Sequence, residues 1–387
     1  MIILADENIP YVKESFGTLG QTIIMSGRLI TSEIIKQNNV DVLIVRSITK
    51  VCPELLEGSP VRFVGTATIG TDHVDIPYLK SKNIKFVSAP GSNANSVAEY
   101  ITAALLFLAK KNNFKLKDKT LGIIGVGQVG SRVAIKAEAM GMNVLLNDPP
   151  LARITGEWKY LPLKELMTAD ILTLHVPLNM EGQDATYHMV NEGFLAKMKS
   201  DSMLINSSRG AVVDNNALKN VLKNKRLSDA VLDVWEKEPS IDTELVNLVA
   251  LGTPHIAGYS FDGKVNGMFM IYEALCKFLG VPIQWKVDNI LSDKSRPPIV
   301  FDNENCNNEK IDDAVDKIVS QMYNIRKDDQ DLRKIVELPA DAQGPYFDNL
   351  RRKYAVRREF KNADVKLPRE DRELSKILLS LGFKIIN

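Results

Sequence analysis

Leu121-Gly122-Ile123-Ile124-Gly125-Val126-Gly127-Gln128-Val129-Gly130, carried on as far as Asp148-Pro149, is the stretch from which the rest of this chain can be placed. The apolar run Leu121 to Ile124 predicts a short buried strand, and Gly125 to Gly130 matches G-x-G-x-x-G. Ser131 to Met140 has helical character, Gly141 ends it, and Asn143 to Asn147 predicts a second strand with Asp148 at its end, 18 residues past Gly130. In such a strand-turn-helix-strand unit the first glycine allows the tight turn, the second lets backbone approach a pyrophosphate and the third packs helix on strand. The acid at the second strand's end takes the ribose hydroxyls. Gly125, Gly127, Gln128, Val129, Gly130 and Asp148 are therefore the expected dinucleotide contacts. Asp148 also repels a 2′-phosphate, and no arginine follows before Arg153, which favours NAD over NADP. A turn-forming role before Pro149-Pro150 is the competing reading of Asp148.

A chain of 387 residues is long enough for two or three domains, each with its own core. Lys and Arg number 49 against 48 Asp and Glu, so no long-range field favours nucleic acid or an anionic membrane. Cys52, Cys276 and Cys306 are far apart with no C-x-x-C spacing, as expected for a reducing compartment, and no histidine has metal-ligand spacing. No metal is expected. Met1 to Asp6 has no basic leader and predicts a first strand, while the apolar run Ile101 to Ala109 is too short to span a bilayer. A soluble cytoplasmic protein is expected.

Short apolar runs at Ile2–Leu4, Thr22–Met25, Val42–Val45, Arg62–Thr66 and Lys85–Val87 predict a parallel α/β domain ahead of the nucleotide segment. One long apolar helix is expected over Ser96–Lys110, then strands near 121–124, 143–147, 171–174, 203–206, 229–232 and 248–251, which make a doubly wound sheet. A helical pattern over Gly263–Leu279 returns the chain to the first domain, and Pro282 with Lys294-Ser295-Arg296-Pro297-Pro298 marks a boundary. The expected organisation is a discontinuous flavodoxin-like substrate domain (1–93 and 256–285), an NAD-binding Rossmann domain (94–255) and an added α+β domain (286–387). That tail is acidic at Asp302, Glu304, Glu309, Asp312 and Asp313, then basic from Arg351 to Arg358.

Ligands of doubly wound sheets sit beyond the carboxyl ends of the strands. Three exits carry polar residues: Ser207-Ser208-Arg209-Gly210, Asp233-Val234-Trp235-Glu236-Lys237-Glu238-Pro239 and Thr253-Pro254-His255-Ile256-Ala257-Gly258. A guanidinium holds a 2-hydroxy acid's carboxylate and polarises the oxygen that becomes a carbonyl. An imidazole takes the hydroxyl proton as hydride departs, and a neighbouring carboxylate orients it and stabilises its charged form. Arg209, His255 and Glu238 are the expected catalytic set.

Those three exits together with Gly125-x-Gly127-x-x-Gly130 resemble the D-2-hydroxyacid dehydrogenases, over residues 1 to about 285. The resemblance implies that Arg209 binds the substrate carboxylate, that His255 is the acid/base with Glu238 as partner, and that Asp233 approaches the nicotinamide carboxamide. It also places Ser207, Ser208, Arg209 and Gly258 beside the cofactor, whereas Val176 lacks the hydroxyl expected near it. A narrower likeness, to a branch acting on a small phosphorylated 2-hydroxy acid on the route to pyridoxal 5′-phosphate, is carried by four segments. These are Arg46-Ser47-Ile48-Thr49-Lys50, Gly65 to His73, Ala257-Gly258-Tyr259-Ser260, and the tail from Phe347 to Phe360. It implies substrate contacts from Ser47, Thr68 and Tyr259 and a homodimer formed by the tail. Other phosphorylated D-2-hydroxy acids such as 3-phosphoglycerate remain alternatives, as does an NAD-sensing corepressor on the same fold. A phosphate needs further cations: Arg46 is one candidate, and Arg351 and Arg357 are others unless they lie on a solvated basic helix face. His73 is expected at a helix N-terminus capped by Thr71 or Asp72, His175 beside the cofactor pocket and His188 in a loop without a partner.

Overall fold

Continuous runs of branched aliphatic residues form strands that are covered on both faces, which is what parallel sheets with crossover helices require. The computed structural model describes residues 1–287, 290, 297–301, 311–367 and 371–386. Cys306, the acids Asp302, Glu304 and Glu309, and Lys294-Ser295-Arg296 of the expected boundary lie outside the described residues. Two compact units result: Met1–Asn93 with Ser260–Ser295, and Ala94–Tyr259 with Arg296–Asn387.

In the first unit β1 (Ile2–Asp6), β2 (Gln21–Met25), β3 (Val42–Val45), β4 (Phe63–Thr66) and β5 (Lys85–Val87) form a parallel sheet of order β2-β1-β3-β4-β5. That is the flavodoxin-like order, with its switch point between β1 and β3. The helix Phe261–Leu279, whose first turn is closed by Ser260 Oγ accepting from Gly263 N, packs on β4. Its approach is so close that a Cβ at Gly65 would stand 2.4 Å from Ile271 Cγ2. The return of the chain to this unit thus depends on a missing side chain.

The second unit's main sheet runs β11-β10-β9-β8-β6-β7, all parallel: β6 (Thr120–Ile124), β7 (Asn143–Asn147), β8 (Ile171–Leu174), β9 (Met203–Asn206), β10 (Asp229–Leu232) and β11 (Leu251–Gly252). A parallel bridge from Tyr160 to Leu146 stands beside β7 where a further strand would extend the sheet. The order reverses at β6, so the glycine loop leaves the sheet at its switch point. The helix Ala94–Lys111 is buried on nearly all sides, as its apolar run predicts.

The tail does not stand apart from this sheet. Its helices Ile311–Met322, Ile325–Arg333, Ala340–Arg352 and Arg372–Leu381, and its small parallel sheet of β12 (Ile299–Val300), β13 (Asp364–Lys366) and β14 (Lys384–Ile386), share cores with the nucleotide segment. Leu332 and Phe347 pack with Trp235 and Leu232, while Leu378 and Phe360 pack with Ala137 and Ile101. One sequence reading is corrected here: the last strand of the main sheet is Leu251–Gly252, not 248–251, because residues up to Leu248 form a helix. Arg333 donates to the carbonyls of Val246 and Val249, and Asp329 accepts from Gly252 N at 2.8 Å. Tail side chains therefore take up the polar groups that would otherwise extend or expose this edge.

Candidate active site

The three glycines of the motif do three different things. Gly125 has φ 88°, and a Cβ there would stand 2.6 Å from His175 O. A Cβ at Gly130 would fall 2.0 Å from Gly125 O, so this glycine seats the helix Gln128–Ala139 against its own turn. A Cβ at Gly127 would meet nothing within 4 Å among the described residues, so packing demands no glycine there and the space beside it is open. The helix that follows has no side-chain cap, which leaves its first-turn N–H groups to an anion. Asp148 joins this loop to the next one, with Oδ2 accepting from Val126 N at 2.8 Å and Oδ1 from Leu151 N at 2.9 Å. Asp148 thus does form the turn before Pro149-Pro150, as the competing reading has it, and it also ties down the glycine loop, on a half-buried carboxylate. An open glycine, an uncapped helix and an acid at the strand end fit a dinucleotide.

The exits of β9, β10 and β11 lie side by side in the sheet and are bound to one another. Buried Asn206 ends β9; its Oδ1 accepts from Ser208 N and Oγ, and its Nδ2 donates to Arg209 O at 3.0 Å. The Ser207 hydroxyl is buried with no bond among the described residues. Arg209, half-buried, donates to Ser208 O. A Cβ at Gly210 would fall 1.9 Å from Trp235 O, which locks the β9 exit onto the β10 exit. In that second loop Glu238 Oε1 accepts from Trp235 N, and Oε2 lies 2.7 Å from His255 Nδ1. Burial works against ionisation of Glu238, but His255, the Trp235 N–H and Arg351 outweigh it and hold the carboxyl below its usual range. Nδ1 being engaged, Nε2 is the ring nitrogen left for a substrate.

Asp233 sits at the centre of this arrangement, fully buried. Its Oδ1 accepts from Thr253 Oγ1 (2.6 Å) and Ile256 N (2.7 Å), and its Oδ2 from Ala257 N (2.9 Å). Burial pushes its pKa up against these bonds and the nearby His255. What the side chain is seen to do is fix the loop that carries His255, a residue whose backbone lies in the left-handed region at φ 57°.

Residues 106–257 match the D-isomer specific 2-hydroxyacid dehydrogenase, NAD binding domain, and residues 299–382 match a family described only as a domain of unknown function. An erythronate-4-phosphate dehydrogenase of Salinibacter ruber is 45% identical over 372 residues, covering 94% of this chain and 93% of its own. One from Proteus mirabilis is 43% identical over 366 residues, covering 94% of each. The chain belongs to the erythronate-4-phosphate dehydrogenase family. The D-lactate dehydrogenase of Aquifex aeolicus, solved with NAD and lactic acid, superposes with TM-score 0.58 at 28% identity over 72% of this chain and 95% of its own.

The family's remaining expected residues divide between the units. Arg46 and Ser47 follow β3, the first half-buried and the second exposed, and Thr68 follows β4. Thr68 Oγ1 lies 2.7 Å from Thr66 Oγ1, which lies 3.0 Å from His73 Nε2. His73 is therefore tied to a strand end; the helix that follows, Ile76–Ser81, is capped by Asp75 and not by Thr71 or Asp72. Sequence reading missed Lys264 in the same unit, whose ammonium is held below its usual range by burial and by Arg46. In the second unit Tyr259 OH accepts from Arg351 Nη2 at 3.1 Å.

The basic tail is not a solvated helix face. The helix stops at Arg352, and Arg357 lies beyond it, buried, donating to Ala257 O and Ser96 O, which excludes it as a phosphate reader. His188 does have a partner: Nε2 lies 2.7 Å from Glu236 Oε1, and its ring stacks on Tyr187 at 4.1 Å. His175 bonds Thr173 Oγ1, and burial lowers it to about 3, so a neutral ring stands behind the glycine turn. Among the described residues no group of three or more His, Cys, Asp or Glu could hold a metal, and no helix is long and apolar enough to cross a membrane.

Proposed function

We propose that the chain oxidises C2 of 4-phospho-D-erythronate with NAD, giving 2-oxo-3-hydroxy-4-phosphobutanoate on the route to pyridoxal 5′-phosphate. The observation that carries this reading is the 2.7 Å pair of His255 and Glu238, formed between the exits of β11 and β10, next in the sheet to the β9 exit that carries Arg209. Gly127, the first turn from Gln128 and Val129, and Asp148 would hold NAD, with Ser207, Ser208, Asp233 and Gly258 toward the nicotinamide. When bound, NAD accepts the hydride from C2. Arg209 would clamp the substrate carboxylate and draw electron density from the C2 oxygen. His255 Nε2 would take the hydroxyl proton as the C2–H bond breaks, and Glu238 would stabilise the resulting imidazolium. General base action of this kind contributes about 10²–10⁴-fold to rate.

Within the first unit, Arg46 and Lys264 with Ser47 and Thr68 are the cations and hydroxyls of choice for the phosphate; within the second, taken by itself, Arg351 and Tyr259 are. Arg351 supports this reading because a tail arginine stands on Tyr259 of its own chain and faces Glu238. A cytoplasmic homodimer joined through the tail completes the proposal, supported by exposed Val300, Val356 and Leu379. The experiment is a side-by-side panel of phosphorylated and unphosphorylated D-2-hydroxy acids, followed at 340 nm with NAD. The reading expects the highest kcat/KM for 4-phosphoerythronate, and a loss in Arg46→Ala and Arg351→Ala that is larger for it than for erythronate. Equal losses on both substrates would remove these arginines from the phosphate, and a flat panel would remove the substrate assignment.

A further inference from the structure

We propose that Arg357 is a positioning residue for His255, and that the tail thereby acts on the chemistry of its own chain. The inference rests on the reading of His255 as the acid/base. The loop from Thr253 to Tyr259 must hold a left-handed residue at its centre, and such a backbone persists only when its surroundings over-determine it. One part of the clamp is Asp233, which accepts from the N–H groups of Ile256 and Ala257. The other part comes from the tail: Arg357 Nη1 donates to Ala257 O at 3.1 Å, so the N–H and the C=O of Ala257 are both held. The second arm of the fork, Nη2, donates to Ser96 O in the helix Ala94–Lys111. Arg357 thus fastens the catalytic loop to the most deeply packed helix of the unit.

The guanidinium is itself immobilised. It lies 3.9 Å from the centre of the Tyr323 ring, within cation–π range, and is 5% exposed. Burial works against its charge, and the surrounding Tyr323, Tyr354, Glu99 and Asp328 favour the protonated form. A buried arginine with two carbonyl bonds and a ring against it is a costly construction for filling space alone. Two carbonyls at a fixed fork spacing also explain the choice of Arg over Lys, which presents a single point of donation.

The test uses the full-length chain with Arg357→Lys and Arg357→Gln. Arg357→Gln is expected to lower kcat about 10–100-fold, the scale of a misplaced catalytic group, with the Kd for NADH within about twofold of wild type. Deuterium uptake of the peptide covering 253–259 should rise in the same variant. Arg357→Lys, which keeps the charge and one carbonyl contact, should recover part of both losses and serves alone if the glutamine variant does not fold. Unchanged kcat per folded molecule together with unchanged uptake over 253–259, even at a lowered Tm, would overturn the proposal. If the wild type turned over no substrate in the panel, the activity reading would fall, and the exchange measurement would still decide whether Arg357 holds the loop.

Discussion

Two aspartates, each at the end of a strand in the same sheet, do opposite kinds of work. Asp148 after β7 is half-buried and lends one oxygen to each of two backbone N–H groups, tying the glycine loop to the next helix. Asp233 after β10 is sealed from solvent and gives three bonds to the His255 loop. An accessible carboxylate keeps lone pairs for a ligand, whereas a buried one is coupled to the geometry around it and cannot be weakened without moving that geometry. One acid therefore suits cofactor discrimination and the other suits placement of a catalytic group.

The largest effect expected is on the loop that Asp233 fixes. His255→Ala should lower turnover about 10²–10⁴-fold while NAD binding stays near that of wild type; a steady-state assay at 340 nm and a fluorescence titration with NADH check the two halves. Next comes Asp233→Asn. An amide offers one acceptor oxygen in place of two and turns a donor toward N–H groups already buried, at about 1–3 kcal/mol. Turnover should fall and thermal unfolding should shift downward together, and a variant with normal kcat and Tm would erase the distinction drawn between the two acids. Asp148→Ala should be milder, weakening NAD and narrowing its advantage over NADP without altering the rate at saturation; titration of both cofactors measures the ratio.

The smallest effect concerns stability against pH. Asp328, bonded to Tyr354 OH at 2.7 Å, is raised by burial from 3.8 to about 6. Because the folded state holds this proton more tightly than the unfolded chain, the contribution is fully present below pH 3.8 and is lost as pH rises through about 6. Denaturant midpoints for Asp328→Asn against wild type between pH 4 and 7 should show the wild type losing ground relative to the variant. Parallel curves would contradict the assignment.

Sequence reading did best where the determinants are local. The glycine motif, the apolar strands and the Arg209, Glu238 and His255 segments each carry their signal within a few residues, and β7 lies where the pattern places it. Remote partners are not legible in this way. Nothing near His188 in the sequence points to Glu236, 48 residues away, and the apolar residues up to Leu248, which pattern alone reads as the start of a strand, belong to a helix whose end is held by Arg333 of the tail. Charge alone could not separate Arg351, half-buried on Tyr259, from Arg357, buried under two carbonyls and a ring. The burial of an arginine depends on the whole fold, and no local spacing encodes it.

The claim that the imidazole paired with Glu238 moves the proton is tested most directly by the pH dependence of kcat/KM for Glu238→Gln. A carboxylate stabilises imidazolium and an amide does so far less, so in the variant the neutral, proton-accepting ring persists to lower pH. The acidic limb of the oxidation profile should therefore move to lower pH relative to wild type. Superimposable limbs would mean that Glu238 does not govern the group that titrates, and the assignment of the pair would not stand.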